Sequence, residues 1–300
     1  MAGLFDTALI DSVVRALIPI LLAALAGLIC DRAGVFNIAL EGQMLVGAFA
    51  AVAGSYYSGS ALVGIAVAVA AASIFTLILS YGAVTTKAEP IVLAVAMNIL
   101  AVGLTSFLLV GLFGVSGVFQ DPRIGALDPV QIPGLAELPW VGQALFNQTP
   151  LGYLAFLLVP VLWIFLFRSP WGLRLRGVGE SPLASQTLGV SPVRYKYLAI
   201  LASGVLCGLA GAQLALGNVV QFAENMTAGR GWIAVVAVML ARANPIGVLG
   251  AALLFGFTEA IGFRLQGQGL PAQITDAAPY VVTLIALLFS ARQFRQRELR

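Results

Sequence analysis

Hydrophobic positions along this chain form unbroken runs with little alternation. The stretches Gly42–Thr86, Pro90–Gln120, Tyr197–Ala223 and Ala243–Thr258 contain no Asp, Glu, Lys or Arg. A helix that crosses a bilayer needs about 20 mostly apolar residues, so the longer runs hold more than one crossing. Punctuation by Gly, Pro and charge predicts nine helical segments, at 12–30, 37–56, 61–86, 90–112, 150–168, 193–217, 231–241, 246–264 and 279–291. Ala241–Pro245, "ARANP", reads as the tight turn between two of them. The period-two pattern of a transmembrane barrel is absent, and exposed irregular backbone is not stable in lipid. The expected fold is all-α: one polytopic membrane domain over residues 1–300, with about 8–10 transmembrane helices.

Two connections interrupt the pattern. Residues 114–150 form a long loop carrying Pro122, Pro129, Pro133 and Pro139, and loops of this length are commonly functional or mobile. Residues 169–192 form the other. Within it, Ser181-Pro182 is an N-cap followed by a proline at the first helical position, and Gly189 supplies a left-handed stop. The intervening "PLASQTL" is a helix of about two turns, too short to stand alone in water. It packs either on its own loop or into a partner protein.

Composition agrees with lipid as the solvent, at 60% hydrophobic and 10% charged residues with mean hydropathy +0.98. The net charge of +3 is small and dispersed, so no nucleic-acid partner is expected. Its distribution reports topology instead. With the C-terminal "ARQFRQRELR" in the cytoplasm, Arg168, Arg174, Arg176, Arg194, Lys196, Arg242, Lys87 and Arg32 fall on the same side. That places twelve of the sixteen basic residues inside. Arg15, Arg123, Arg230 and Arg264 lie at or beyond the other face. The 114–150 loop is then external, the 169–192 loop cytoplasmic and the N-terminus outside. Asp6 and Asp11 precede the first apolar run with no basic n-region, which argues against a cleaved leader.

Catalytic chemistry is not in view. There is no histidine, Cys30 and Cys207 fall in spans, and the two lysines, Lys87 and Lys196, are not in a phosphate-binding G-x-x-x-x-G-K-[ST] loop. No metal site, cofactor or nucleophile motif is expected. A chain of this kind driven by ATP needs its motor, with ATP and Mg, on another subunit.

Polar residues inside spans are candidates for a route or for helix–helix contact. Asn37 and Glu41 are four apart. Asn37 reads as an N-cap, and Glu41 as either a first-turn acid near the cytoplasmic interface or an inward-facing group bonding a neighbouring helix. Asn98 and Thr105 share a face seven residues apart, as neutral pathway groups or interhelical bonds. Near the outer side, Phe222 is placed to stack on a planar ligand and Asn225 to bond its edge. Glu224 and Arg230 are expected to pair, Glu259 to pair with Arg264, and Gly204 and Gly208 to let helices approach closely.

Several stretches together resemble one family. "GVFNIALEGQMLVGAFAA", "LRLRGVGESPLASQTLGVSP", "FAENMTAGRGWIAVVAVMLARANPIGVLGAALLFG", "IPGLAELPWVGQALFNQTPLGYLAF" and "LPAQITDAAPYVVTLIALL" are similar to permease subunits of ATP-binding-cassette importers. The branch is the one for branched-chain amino acids, ribose and nucleosides, and the nucleoside-type members are the nearest in pattern. The resemblance implies half of a translocation pathway in a prokaryotic cell membrane. It also implies a second permease, often a different chain, two cytoplasmic ATPase subunits and an extracytoplasmic substrate-binding protein. Glu180, Ser181, Pro182, Leu183, Ala184, Ser185, Gln186, Thr187, Leu188 and Gly189 match the segment that couples to the ATPase. A sugar or a branched-chain amino acid is the alternative cargo. A secondary transporter using Glu41 or Glu259 as proton carrier, and a passive channel, are the rival classes.

Overall fold

The computed structural model describes residues 7–131, 145–266 and 281. Among these residues, ten α-helices follow in order: α1 (Thr7–Arg32), α2 (Leu40–Ser58), α3 (Ala61–Ser80), α4 (Pro90–Phe113), α5 (Pro150–Arg168), α6 (Pro170–Glu180), α7 (Pro182–Thr187), α8 (Pro192–Ala212), α9 (Arg230–Leu240) and α10 (Pro245–Gln266). α3 and α8 each run on into π-helical turns, Tyr81–Thr85 and Gln213–Val219. Proline opens α4 to α8 and α10, where a missing amide costs nothing and the fixed φ suits a helix. Thr149 and Ser169 cap α5 and α6 by accepting the amides of Gly152 and Gly172.

Among the described residues, six helices are long and apolar enough to cross a membrane: α1, α3 with its π turn, α4, α5, α8 with its π stretch, and α10. α1 lies at the centre, almost wholly enclosed, packed on α8, α9 and α10. α3 and α4 form the flank, and their outer faces present aliphatic side chains such as Leu62, Ile74, Val92 and Ile99.

α2, α3 and α8 approach closely enough that backbones touch. A Cβ at Gly211 would stand 2.3 Å from the Met44 carbonyl oxygen, and one at Gly204 would stand 2.9 Å from the Ser73 Cα. Gly204 and Gly208 thus serve helix packing, as their spacing suggests.

The basic connections gather at one end. Arg32 donates to the carbonyls of Ala243 (2.7 Å) and Arg242 (3.0 Å) and stacks on Phe167, while Gly34 abuts Gly179. At the opposite end, β1 (Val118–Phe119) pairs with β4 (Phe222–Ala223), and β2 (Val130–Gln131) pairs with β3 (Asn147–Gln148). There Arg123 bonds Asp121 and the Tyr56 hydroxyl, and Tyr56, Phe113 and Phe119 pack ring on ring. Hydrogen bonds from Arg123 hold the Asp121 carboxyl below its ordinary range. That contact is therefore present at neutral pH and lost as pH falls through the depressed value.

Four sequence expectations change. The second helix begins at Leu40 and not at 37, leaving residues 33–39 irregular. The 231–241 segment is a helix of only 11 residues, about 16 Å, too short to cross alone. The 169–192 connection holds a further helix, α6, beside the short one. The 114–150 loop carries two short ladders rather than open loop alone. The span expected at 279–291, the basic C-terminus, Pro133 and Pro139 lie outside the described residues, apart from Val281.

Replacing Gly211 with Val should push α8 off α2, at a cost of about 1–3 kcal/mol from overpacking. The same change at Gly103, where a Cβ meets nothing within 4 Å, should be silent. Thermal unfolding midpoints of the two variants in detergent check the contrast.

Candidate functional site

The two irregular stretches meet inside the helix bundle. After α1 the chain turns at Gly34 and runs through Val35–Ala39 before α2 begins. Asn37 organises this run. Its Oδ1 accepts the Ala39 amide (2.9 Å), and its Nδ2 donates to Ser203 Oγ (2.8 Å) and, more weakly, to Gln43 Oε1 (3.4 Å). Between Pro192 and Ser203, α8 rises about 16 Å, so these contacts sit well inside the bundle. The N-terminus of α2 receives no cap from Ala39, the residue at the cap position. Asn98, reaching across from α4, supplies one instead. Its Oδ1 accepts the Gly42 amide (2.8 Å), and its Nδ2 donates to the Ile38 carbonyl (3.1 Å). One amide side chain satisfies a donor and an acceptor that a broken helix would otherwise leave orphaned.

The second stretch comes from the opposite end. From β4 the chain descends through turns at Asn225 and Ala228, both left-handed, to Gly229 at φ 85°. α9 then starts against Glu41. Glu41 Oε1 accepts the Gly229 amide (2.8 Å) and Oε2 accepts the Gly231 amide (2.6 Å). The carboxylate of one broken helix thus caps the N-terminus of the other, where unpaired amides and the helix dipole favour negative charge. Contact is close: a Cβ at Gly231 would fall 2.4 Å from the Glu41 nitrogen. One residue earlier, Arg230 pairs with Glu259 of α10, their side chains 15% and 11% exposed, and also donates to the Met226 carbonyl. Such a desolvated pair is costly to break from one side.

This arrangement sorts the predicted residues. Asn37 and Glu41 do not share a helix face, because Asn37 lies before the helix and turns to α8 while Glu41 turns to α9. Glu41 lies in the first turn of α2 and also faces inward to bond a neighbouring helix, so the two readings of it combine. Thr105 is buried and returns its hydroxyl to the Ala101 carbonyl. Phe222 is fully buried, edge-on to Phe49, and so packs the core. Asn225 is exposed. Glu224 does not pair with Arg230. It accepts the Gly117 amide, and Glu259 pairs with Arg230. Arg230 is accordingly a largely enclosed group held against α10. Gln43, Ser203 and Gly231 were missed; the signals for them were two uncharged polar residues in apolar runs and a glycine next to a basic residue.

At the basic end, α7 has the caps its sequence specifies. Ser181 Oγ accepts the Ala184 amide (3.4 Å), and Gly189 is left-handed at φ 79°. Ser185 is buried, so the helix sits on its own loop by one face. On the other, Leu183 and Leu188 are 78% and 82% exposed.

Helices long and apolar enough to cross a membrane thus surround a buried carboxylate that joins the starts of α2 and α9. The chain belongs to the family described as the branched-chain amino acid transport system, permease component, which matches residues 9–289. It is a permease subunit of an importer of the ATP-binding-cassette type. Among its relatives, the guanosine ABC transporter permease protein NupQ of Bacillus subtilis is 35% identical over 90% of this chain and 87% of that one. The provisionally named glucose ABC transporter permease protein TsgC13 of Haloferax volcanii is 38% identical over 95% of this chain and 85% of its own. A solved metal-chelate-type ABC transporter in an inward-facing conformation shares the fold, with TM-score 0.52, 16% identity and coverage of 93% and 85%.

Glu41→Gln should weaken the junction, since an amide has one acceptor oxygen and would set its NH2 against one of two backbone donors. The expected loss is about 1.5–3 kcal/mol, the range for a hydrogen bond to a charged group. Glu41→Asp should also lose, being one methylene short of two amides. Thermal stability in lipid nanodiscs checks both, and a wild-type midpoint for both variants would refute the cap.

Proposed function

We propose that this chain forms half of the translocation pathway of an ATP-driven importer for nucleosides. Its basic end, with the C-terminus, lies in the cytoplasm of a prokaryotic cell, consistent with the excess of Lys and Arg there. α7 is the knob that docks into a cytoplasmic ATPase. Two such ATPases carry the ATP and Mg, a second permease (a different chain) completes the pathway, and an extracytoplasmic binding protein delivers the cargo. The observation that carries this reading is the pair Leu183 and Leu188: two apolar side chains held in water on a helix capped at both ends. A rigid exposed apolar pair beside a basic surface suits insertion into a partner's groove better than lipid or solvent.

Nucleoside is favoured by the relation to NupQ and by the sequence stretches typical of that branch. A sugar is the second reading, favoured by the relation to TsgC13. Within the pathway, Asn37, Glu41 and Asn98 act by fixing where the starts of α2 and α9 meet, while Thr105 and Phe222 support the packing around them. Asn225, exposed on the descending turn, is the residue of that set open to cargo.

Leu183→Asp combined with Leu188→Asp should abolish ATP-dependent uptake and co-purification of the ATPase while leaving the amount of membrane-inserted permease unchanged. Uptake by the intact complex should be sensitive to vanadate and require every partner. Uptake that survives the double substitution, or that an uncoupler abolishes without any ATPase present, would sink the assignment.

A further inference from the structure

We propose that Trp232 is the surface on which the planar base of a nucleoside stacks at mid-membrane, an inference that rests on the nucleoside reading above. Most of α9 is committed to the protein interior. Gly231 closes on Glu41, and Ile233, Ala234, Ala237 and Val238 pack into the core around α1. What the helix leaves open is one stripe, with Trp232 and Met239 exposed (41% and 54%) and Val236 partly so, at the i, i+4, i+7 spacing of a single face. Above it, on the turn that leads down from the opposite end, Ala228 and Asn225 are exposed as well.

Three observations separate this stripe from a lipid-facing surface. The uncovered faces of α3 and α4 are aliphatic apart from Phe107, whereas this one begins with a polar turn and an indole. Its upper part is irregular backbone beside the Glu41 contact, and within a bilayer such backbone is tolerated only against protein or along an aqueous route. Finally, tryptophan facing lipid gathers at the headgroup level, where its N–H finds partners. Trp232 stands elsewhere, one residue past the Gly231–Glu41 contact, about 12 Å of helix away from the basic end.

The chemistry matches the cargo. Every nucleobase has a π-face, and an indole stacks on it with little regard to which base it is. Asn225 offers both a donor and an acceptor to a base edge or a ribose hydroxyl. Phe222 cannot serve in this way, since its ring is enclosed beside Phe49.

The test is uptake of guanosine and uridine by the complete importer in proteoliposomes, at saturating loaded binding protein, together with ATPase activity. Trp232→Ala should lower guanosine uptake about tenfold, the scale of one lost stacking contact, and uridine uptake less, since a pyrimidine has the smaller face. Trp232→Phe should restore most of the rate and Trp232→Leu should not, with assembly and binding-protein-stimulated ATPase retained in all three. Wild-type uptake by Trp232→Leu, or lost assembly in Trp232→Ala that Leu repairs, would make the residue a packing element and overturn the proposal. A wild-type complex that imports glucose and no nucleoside would instead remove the nucleoside reading itself, and the base with it.

Discussion

A backbone amide left unpaired inside a membrane costs several kcal/mol, and much of this bundle is arranged around that cost. Two helices, α2 and α9, begin inside the bundle, so their first amides open away from bulk water. Asn98 answers for α2 and Glu41 answers for α9. Because Glu41 belongs to α2, the two breaks are linked: the position of α4 sets α2, and α2 sets α9. Glycine at 231 is the steric condition for that link, since any side chain there would displace the very carboxylate that completes the helix.

Such a centre has mechanical implications for a permease. Continuous helices such as α1 and α8 slide or tilt as rods, whereas a half-helix turns about its own capped end. α9 is joined to α10 by the short turn at Arg242–Asn244, and Arg32 grips the carbonyls of that turn. It is also held to α10 at its start by Arg230–Glu259. α9 and α10 therefore move together, against a pivot that α2 supplies. Docking at α7 lies at the same end as this turn, so the site where ATP-driven motion is proposed to arrive and the helix proposed to contact cargo are near neighbours in the architecture.

The helical class of the protein was legible because lipid permits few alternatives, and uncharged runs of this length have one common outcome. The capped helix at Ser181–Gly189 was legible for a different reason: caps are local, and Ser-Pro followed by Gly states both ends within nine residues. The broken crossings were not legible in the same way. "GVFNIALEG" looks continuous with the helix after it, and only a tertiary partner, Asn98, makes it favourable to start that helix at Leu40. Likewise, nothing near Arg230 in sequence indicates Glu259, because the two meet through the fold and not through spacing. The acid at 41 was conspicuous, but its donors lie 188 and 190 residues further on.

That separation bears on how the protein is made. Translation proceeds at about 5–20 residues per second, so Glu41 emerges roughly 10–40 s before Gly229 and Gly231. Through that interval the acid has no backbone donors to receive it, and a segment bearing a bare carboxylate is a poor candidate for early release into the bilayer. α2 is therefore best held beside the insertion machinery until α9 arrives. The last third of the chain decides when the first third can settle, and a nascent protein that stalls before Gly229 should be recognisable to quality control by one acid still waiting for its helix.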